Sequence, residues 1–250
     1  MPGIKKSSEK SRPASTAAPA AGRRRRWLKR AGVVLLALLL LPLVEVGCVR
    51  YVDPPATPLM GIRWVEDKFT GNHPPRVIYQ WTDWHDLPTG FLKAAWVSED
   101  ARFFRHHGFD WIEMQRALDQ AERTGRDPRG SSTITMQCAR SLFLWQGHSY
   151  VRKGLEAYYT FWMERVLSKR RIFELYANVV ELGPGVYGVE AASRHHYGQA
   201  ARRLSTEQHA FLAAMLPAPR RWNPRAPSPR LLARQRRILR ELPLVRWPAP

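Results

Sequence analysis

Two acidic residues stand inside dense polar motifs of this chain, and their surroundings suit proton transfer beside a negatively charged group. Glu99 lies in Ser98-Glu99-Asp100-Ala101-Arg102-Phe103-Phe104-Arg105-His106-His107-Gly108-Phe109-Asp110, and Glu156 in Arg152-Lys153-Gly154-Leu155-Glu156. Between them runs Arg129-Gly130-Ser131-Ser132-Thr133-Ile134-Thr135-Met136-Gln137, rich in hydroxyls. A carboxylate can take a proton from an attacking hydroxyl, while hydroxyls and cations hold the oxyanions of a phosphate. The pattern therefore suits a phosphorylated sugar. His106-His107 and His195-His196 are adjacent pairs whose rings cannot face one way on a helix, and no third ligand is evident. They read as structural, and no metal-ligand set is assigned.

These blocks resemble the glycosyltransferases that polymerise peptidoglycan from lipid II, monofunctional or fused to penicillin-binding domains. The family's first motif, Glu-Asp-x-x-Phe-x-x-His-x-Gly-x-Asp, is filled by Glu99, Asp100, Phe103, His106, Gly108 and Asp110. The second, Gly-x-Ser-Thr-Ile-Thr-Gln-Gln, is met by Gly130, Ser132, Thr133, Ile134, Thr135 and Gln137. The third, Arg-Lys-x-x-Glu, is met by Arg152, Lys153 and Glu156. Several motifs in one order make a specific signal. Met136 stands where the family has Gln, Arg140-Ser141 where it has Lys-Asn, and His148 where Arg is common. Few residues follow the motifs, so the monofunctional type is the nearer match.

The resemblance implies a lysozyme-like, mainly α domain with a smaller membrane-proximal lobe, preceded by one transmembrane helix. It implies that Glu99 is the general base and that Glu156 orients cations or assists departure of the leaving group. Ser132, Thr133, Gln137, Arg140, Arg152 and Lys153 would meet the pyrophosphate. It leaves room for a divalent cation (Mg or Mn) at that pyrophosphate. Expected partners are lipid II, the growing glycan strand and the membrane, with penicillin-binding proteins and divisome components as further candidates. A lipid II-binding scaffold with lost turnover, and a lysozyme-like glycan hydrolase, stay open as alternatives.

The elements that must position these groups follow from pattern. The chain has 250 residues, with 40 Lys plus Arg against 21 Asp plus Glu, for a net charge of +19. The charge gathers at the two ends. No reading helix or stacking platform accompanies it, so it marks membrane topology and a solvated tail rather than nucleic-acid binding. Arg23 to Arg26, Lys29 and Arg30 precede an apolar run from Ala31 to Val49, near the ~20 residues that span a bilayer. The expected address is the bacterial inner membrane, single-pass, with a cytoplasmic N-terminus and a periplasmic catalytic domain. A cleaved signal or lipidation at Cys48 fits less well, because Glu45 and the lack of a small-x-small site break those patterns. A disulfide between Cys48 and Cys138 is not expected.

The organisation read from this is a disordered basic tail over 1–30, a transmembrane helix over 31–49 and a linker with extended pieces over 50–84. The glycosyltransferase domain follows over 85–224, then a basic tail over 225–250. Periodicity predicts helices ending near Glu99, over Trp111 to Arg123, and over one long stretch from Lys153 to Asn178. Ser205-x-x-Gln208 reads as a capping box opening a helix that Pro217 ends.

Overall fold

The computed structural model describes residues 20–125, 132–147 and 149–248. It divides into two units, residues 1–41 and 42–250. Helix α1 (Ala20–Tyr51) contributes to both, and its stretch Arg26–Tyr51 is long and apolar enough to cross a membrane. The expected tail over 1–30 needs correction at its end, since residues 20–30 are helical and continue into the apolar run; residues 1–19 lie outside the described part. Within the second unit the last turns of α1 are built into the core. Val46 and Val49 are buried, Tyr159 donates its hydroxyl to Glu45, and Arg171 Nε donates to the Val49 carbonyl at 2.9 Å. The carboxylate that interrupts the apolar run thus has a partner.

The segment read as a linker holds α2 (Pro58–Thr70), opened by a proline in the first turn, and then strand β1 (Ile78–Tyr79). Next come α3 (Thr89–Glu99), α4 (Trp111–Thr124), α5 (Ile134–Phe143), α6 (Tyr150–Val166) and α7 (Lys169–Val179). The single helix expected from Lys153 to Asn178 is two. The break falls at Leu167-Ser168, where Ser168 Oγ accepts the Arg171 N–H at 3.1 Å and starts α7 afresh. Two short strands, β2 (Glu181–Gly183) and β3 (Val186–Tyr187), form a small sheet with β1 in the order β1-β3-β2. Helices α8 (Val189–Tyr197) and α9 (Thr206–Met215) follow, the latter with the full capping box of Ser205 and Gln208.

The C-terminal tail is the largest correction. Pro229–Glu241 forms α10, capped by Ser228 Oγ on the Leu231 N–H at 3.3 Å. Leu231 and Ile238 are fully buried against α9 and α3, so basic residues there cover a helix that is part of the domain. The fold is mainly α. One group packs α3, α9 and α10 together; another packs α5 against α6 and α7. Phe91, Phe103, Phe173, Tyr176 and Met163 fill the core between them. Both cysteines are free, and burial pushes the Cys138 thiol far above its usual range.

One buried histidine, His209, and one half-buried, His196, make the fold pH-sensitive. His209 Nε2 donates to the Ala201 carbonyl at 3.0 Å and His196 Nε2 to the Leu182 carbonyl at 2.9 Å, so both rings carry that proton when neutral. Burial lowers both from the ordinary 6.5, with the carbonyl bonds only partly opposing it. A lowered value means that the unfolded chain binds more protons below 6.5 than the folded one, so stability rises with pH there. The thermal midpoint should hold above pH 6.5 and fall as pH drops through that value. His209→Gln, which removes one titrating ring, should flatten part of the fall in a melting series.

Candidate active site

Three helix ends meet at the first motif, and most of its residues are consumed in joining them. Asp110 caps α4 by accepting the Ile112 and Glu113 N–H groups at 3.2 and 3.1 Å. Thr133 caps α5, accepting the Met136 N–H at 3.2 Å while its hydroxyl donates to the Gly108 carbonyl at 2.7 Å. Asp100 Oδ2 accepts the Ile134 N–H at 3.0 Å, and His106 Nε2 sits 2.9 and 3.0 Å from the two Asp100 oxygens. Gly108 has φ 89°, and a Cβ there would stand 2.8 Å from Thr160 Cγ2, so the motif's glycine is required by both conformation and space. Carboxylates at helix N-termini satisfy orphan N–H groups and the positive end of the dipole.

Asp100, His106 and Asp110 bring ligand atoms within 4.8 Å of one another. The set does not fit a resident cation. Arg102 Nε lies 3.0 Å from Asp110 Oδ2, and Asp100 already serves Ile134 and His106. The reading of His106 as structural matches this placement.

Glu99 is different, because its carboxylate borders open space. It ends α3 and lines a cleft of about 260 Å³ with Ser98, Arg102, Glu113 and Ser132. Gln137 Nε2 donates to Glu99 Oε2 at 3.0 Å, and Arg234 donates to Oε1. The amide is oriented in turn by Tyr176, whose hydroxyl donates to Gln137 Oε1 at 3.2 Å. Tyr176 is fully buried, and burial, with the Glu99 charge adding, pushes its hydroxyl well above the usual value. It therefore stays protonated and remains a donor, which turns the Gln137 NH₂ toward the carboxylate.

Glu156 has no exposed surface. Arg152 Nη1 donates to its Oε2 at 2.5 Å and Lys153 Nζ to its Oε1 at 2.6 Å. It acts from behind the two cations, holding them, and does not border the cleft. Lys153 is half-exposed and reaches Ser132 Oγ at 3.3 Å, so its ammonium is paired with a hydroxyl that lines the Glu99 cleft. Arg152 is buried, its Nε donating to the Gly147 carbonyl at 2.8 Å, so it braces the turn before α6.

The other candidates divide. Thr133 lines the cleft floor with its hydroxyl already committed. Arg140 faces a second cleft of about 640 Å³, shared with Gln137, Arg63, His73 and Arg220. Gln137 thus stands between the two clefts. Burial raises Glu181 on the second cleft, while Arg220 at 2.9 Å and Arg63 at 3.8 Å pull it back. Met136 is buried, and Ser141 Oγ donates back to the Gln137 carbonyl at 2.9 Å. Neither offers a free group to a phosphate. His148 lies outside the described residues.

Sequence reasoning missed Arg234 and Tyr176. The Tyr176 ring packs in the core, and its hydroxyl also works on the site. For Arg234 a signal existed: Ser228-Pro229 followed by Leu231, Leu232, Ile238 and Leu239 is a capped amphipathic helix.

If Glu156 is the holder of two cations, removing it leaves them unpaired in and beside the interior. Glu156→Ala should lose about 3 kcal/mol of unfolding free energy in denaturant titration, the scale for breaking a buried pair. An isosteric Glu99→Gln, which keeps the side chain's volume and leaves only the part-exposed Arg234 without its charge partner, should lose less.

The family described as Transglycosylase matches residues 70–243, a span that reaches through α10. A protein of Xylella fastidiosa (strain 9a5c) named "Biosynthetic peptidoglycan transglycosylase" is 42% identical over 215 residues, covering 86% of this chain and 88% of its own. A protein of the same name from Pseudomonas aeruginosa PAO1 is 42% identical over 203 residues, covering 81% and 82%. One from Rhodospirillum centenum is 40% identical over 221 residues, covering 88% and 93%.

Proposed function

This chain belongs to the transglycosylase family, whose members polymerise glycan for the cell wall, and from that premise we propose that its substrate is lipid II and its leaving group undecaprenyl pyrophosphate. The observation that carries the proposal is the Glu99 carboxylate at the end of α3, bordering a cleft that is also lined by Ser132, whose hydroxyl Lys153 contacts.

In the proposed reaction the 4-hydroxyl of an acceptor GlcNAc attacks C1 of the donor MurNAc. The hydroxyl proton passes to Glu99, the new C1–O bond forms, and the bond from C1 to the pyrophosphate oxygen breaks with its electron pair. A positioned carboxylate in this role contributes about 10²–10⁴-fold. Oε2 receives only the Gln137 amide among the described residues, so it keeps an acceptor direction for the hydroxyl. Lys153 and Ser132 meet the oxygens of the departing pyrophosphate, where charge develops. Glu156 keeps Lys153 in place. Arg140 would serve a phosphate in the second cleft. A Mg or Mn ion carried on the pyrophosphate itself would add charge neutralisation there; the Asp100, His106 and Asp110 group takes no part in holding it.

The scaffold reading loses part of its motive, because Met136 is buried. Membrane anchoring is in keeping with α1. We place the N-terminus in the cytoplasm and the catalytic domain on the periplasmic side, from the basic cluster before the apolar run.

Detergent-solubilised protein given lipid II should yield a ladder of glycan chains on a gel, and Glu99→Gln should abolish it with the thermal midpoint retained. A variant keeping more than about a tenth of wild-type turnover would contradict an essential base. Soluble muropeptides released from intact sacculi would instead make it a hydrolase. A reporter enzyme that works only outside the cytoplasm, fused at the C-terminus, should be active; an active cytoplasmic reporter there would overturn the topology.

A further inference from the structure

Glu99 sits at an unfavourable end of its helix. It is the last residue of α3, where unpaired carbonyls create partial negative charge that repels a carboxylate. One cation offsets both. Arg234 Nη2 donates to Glu99 Oε1 and lies 3.4 Å from the Ser98 carbonyl, so a single guanidinium serves the carboxylate and the helix end. Opposite it, the Gln137 amide takes Oε2, fixed by the Tyr176 hydroxyl.

Arg234 comes from α10, and that helix is firmly placed. Ser228 caps it, and Leu231 and Ile238 anchor it in the core. The chain beyond it is fastened as well. The Trp247 ring packs on Trp96, Phe104 and Phe173, with centroids 5.8, 5.8 and 5.9 Å apart. Trp96 is on α3, one turn before Glu99. Residues 228–247 therefore form a strap tied at both ends across the helix that ends in Glu99, with Arg234 between the ties.

We propose that Arg234 is a positioning residue for polymerisation: with Gln137 it clamps the two oxygens of Glu99, so that the carboxylate meets the acceptor hydroxyl in one orientation. The proposal rests on the reading of Glu99 as the general base. The benefit proposed is one of geometry. An ionised carboxylate has about four acceptor positions. Arg234 takes one on Oε1, and Oε2 stays open toward the substrate beside Gln137. A misplacement of about 1 Å can cost about a hundredfold in rate, and that is the scale of loss expected when the clamp is removed.

The test uses the full-length protein in detergent with lipid II. Arg234→Ala should lower kcat about a hundredfold, with KM for lipid II changed less than about threefold, because Arg234 acts through Glu99 and not on the substrate. Arg234→Lys should recover part of the rate, since it keeps the charge and loses the planar fork. Free guanidinium at sub-denaturing concentration should restore Arg234→Ala, whereas ethylammonium, without the fork, should restore it less. In a Glu99→Gln background, Arg234→Ala should cost nothing further. Full kcat in Arg234→Ala, with Glu99→Gln inactive, overturns the clamp and leaves the base intact. An active Glu99→Gln overturns the base, and the clamp with it. A dead Arg234→Ala that neither Lys nor guanidinium restores, with a lowered thermal midpoint, makes Arg234 a packing residue and also overturns the clamp.

Discussion

The site depends on keeping one carboxylate fixed and reachable at the negative end of a helix. A buried position would leave Glu99 unreachable, and a solvated one would leave it free to rotate. The chain solves this with donors from two other helices: the Gln137 amide from α5, backed by Tyr176 from α7, and the Arg234 guanidinium from α10. Each donor is worth most where water is sparse, and each would be an uncompensated buried group without the others. The three helices are therefore fixed relative to α3 by the same contacts that hold the base.

The rest of the first and second motifs builds the frame for that arrangement. Asp100, Asp110 and Thr133 each cap a helix start, and Gly108 lets the chain pass close to Thr160 so that its carbonyl meets Thr133. Glu156 does for the cations what Arg234 does for the base, from a fully buried position behind Arg152 and Lys153. Of these two cations Lys153 is the exposed one, and it lies beside Ser132. Polar motif residues that look like a binding set in sequence are thus mostly a support, with few groups left for the substrate.

This separation explains how much of the site was legible in sequence. Glu99, Lys153 and Ser132 are picked out by type and spacing, and the structure places Glu99 and Ser132 at one cleft, with Lys153 on the Ser132 hydroxyl. Sequence could not divide Thr133 or Arg152 from them, because a committed hydroxyl or guanidinium looks the same as a free one. Arg234 lies 135 positions from Glu99, and a contact of that range leaves no local pattern. The fold was legible in class, and the caps at Ser205 and Pro217 were sound local signals. It failed where charge hid amphipathicity, as in α10, and where prolines suggested a linker though one proline begins α2. The break at Ser168 was missed although the stripe of Ile172, Leu175 and Tyr176 falls on a different face from that of Leu155 to Leu167, because helical spacing continues on both sides and the cap that restarts the helix is one hydroxyl.

The account places a base at Glu99 inside a cage of fixed donors, and chemical rescue examines that claim most directly. Glu99→Gly removes the carboxylate and leaves Gln137 and Arg234 facing the gap. Glycan synthesis from lipid II should be lost in that variant and should return, at least in part, when formate is supplied, since the two donors would hold the small carboxylate where the side chain stood. A Glu99→Gly protein that polymerised lipid II at the wild-type rate without formate would contradict the account.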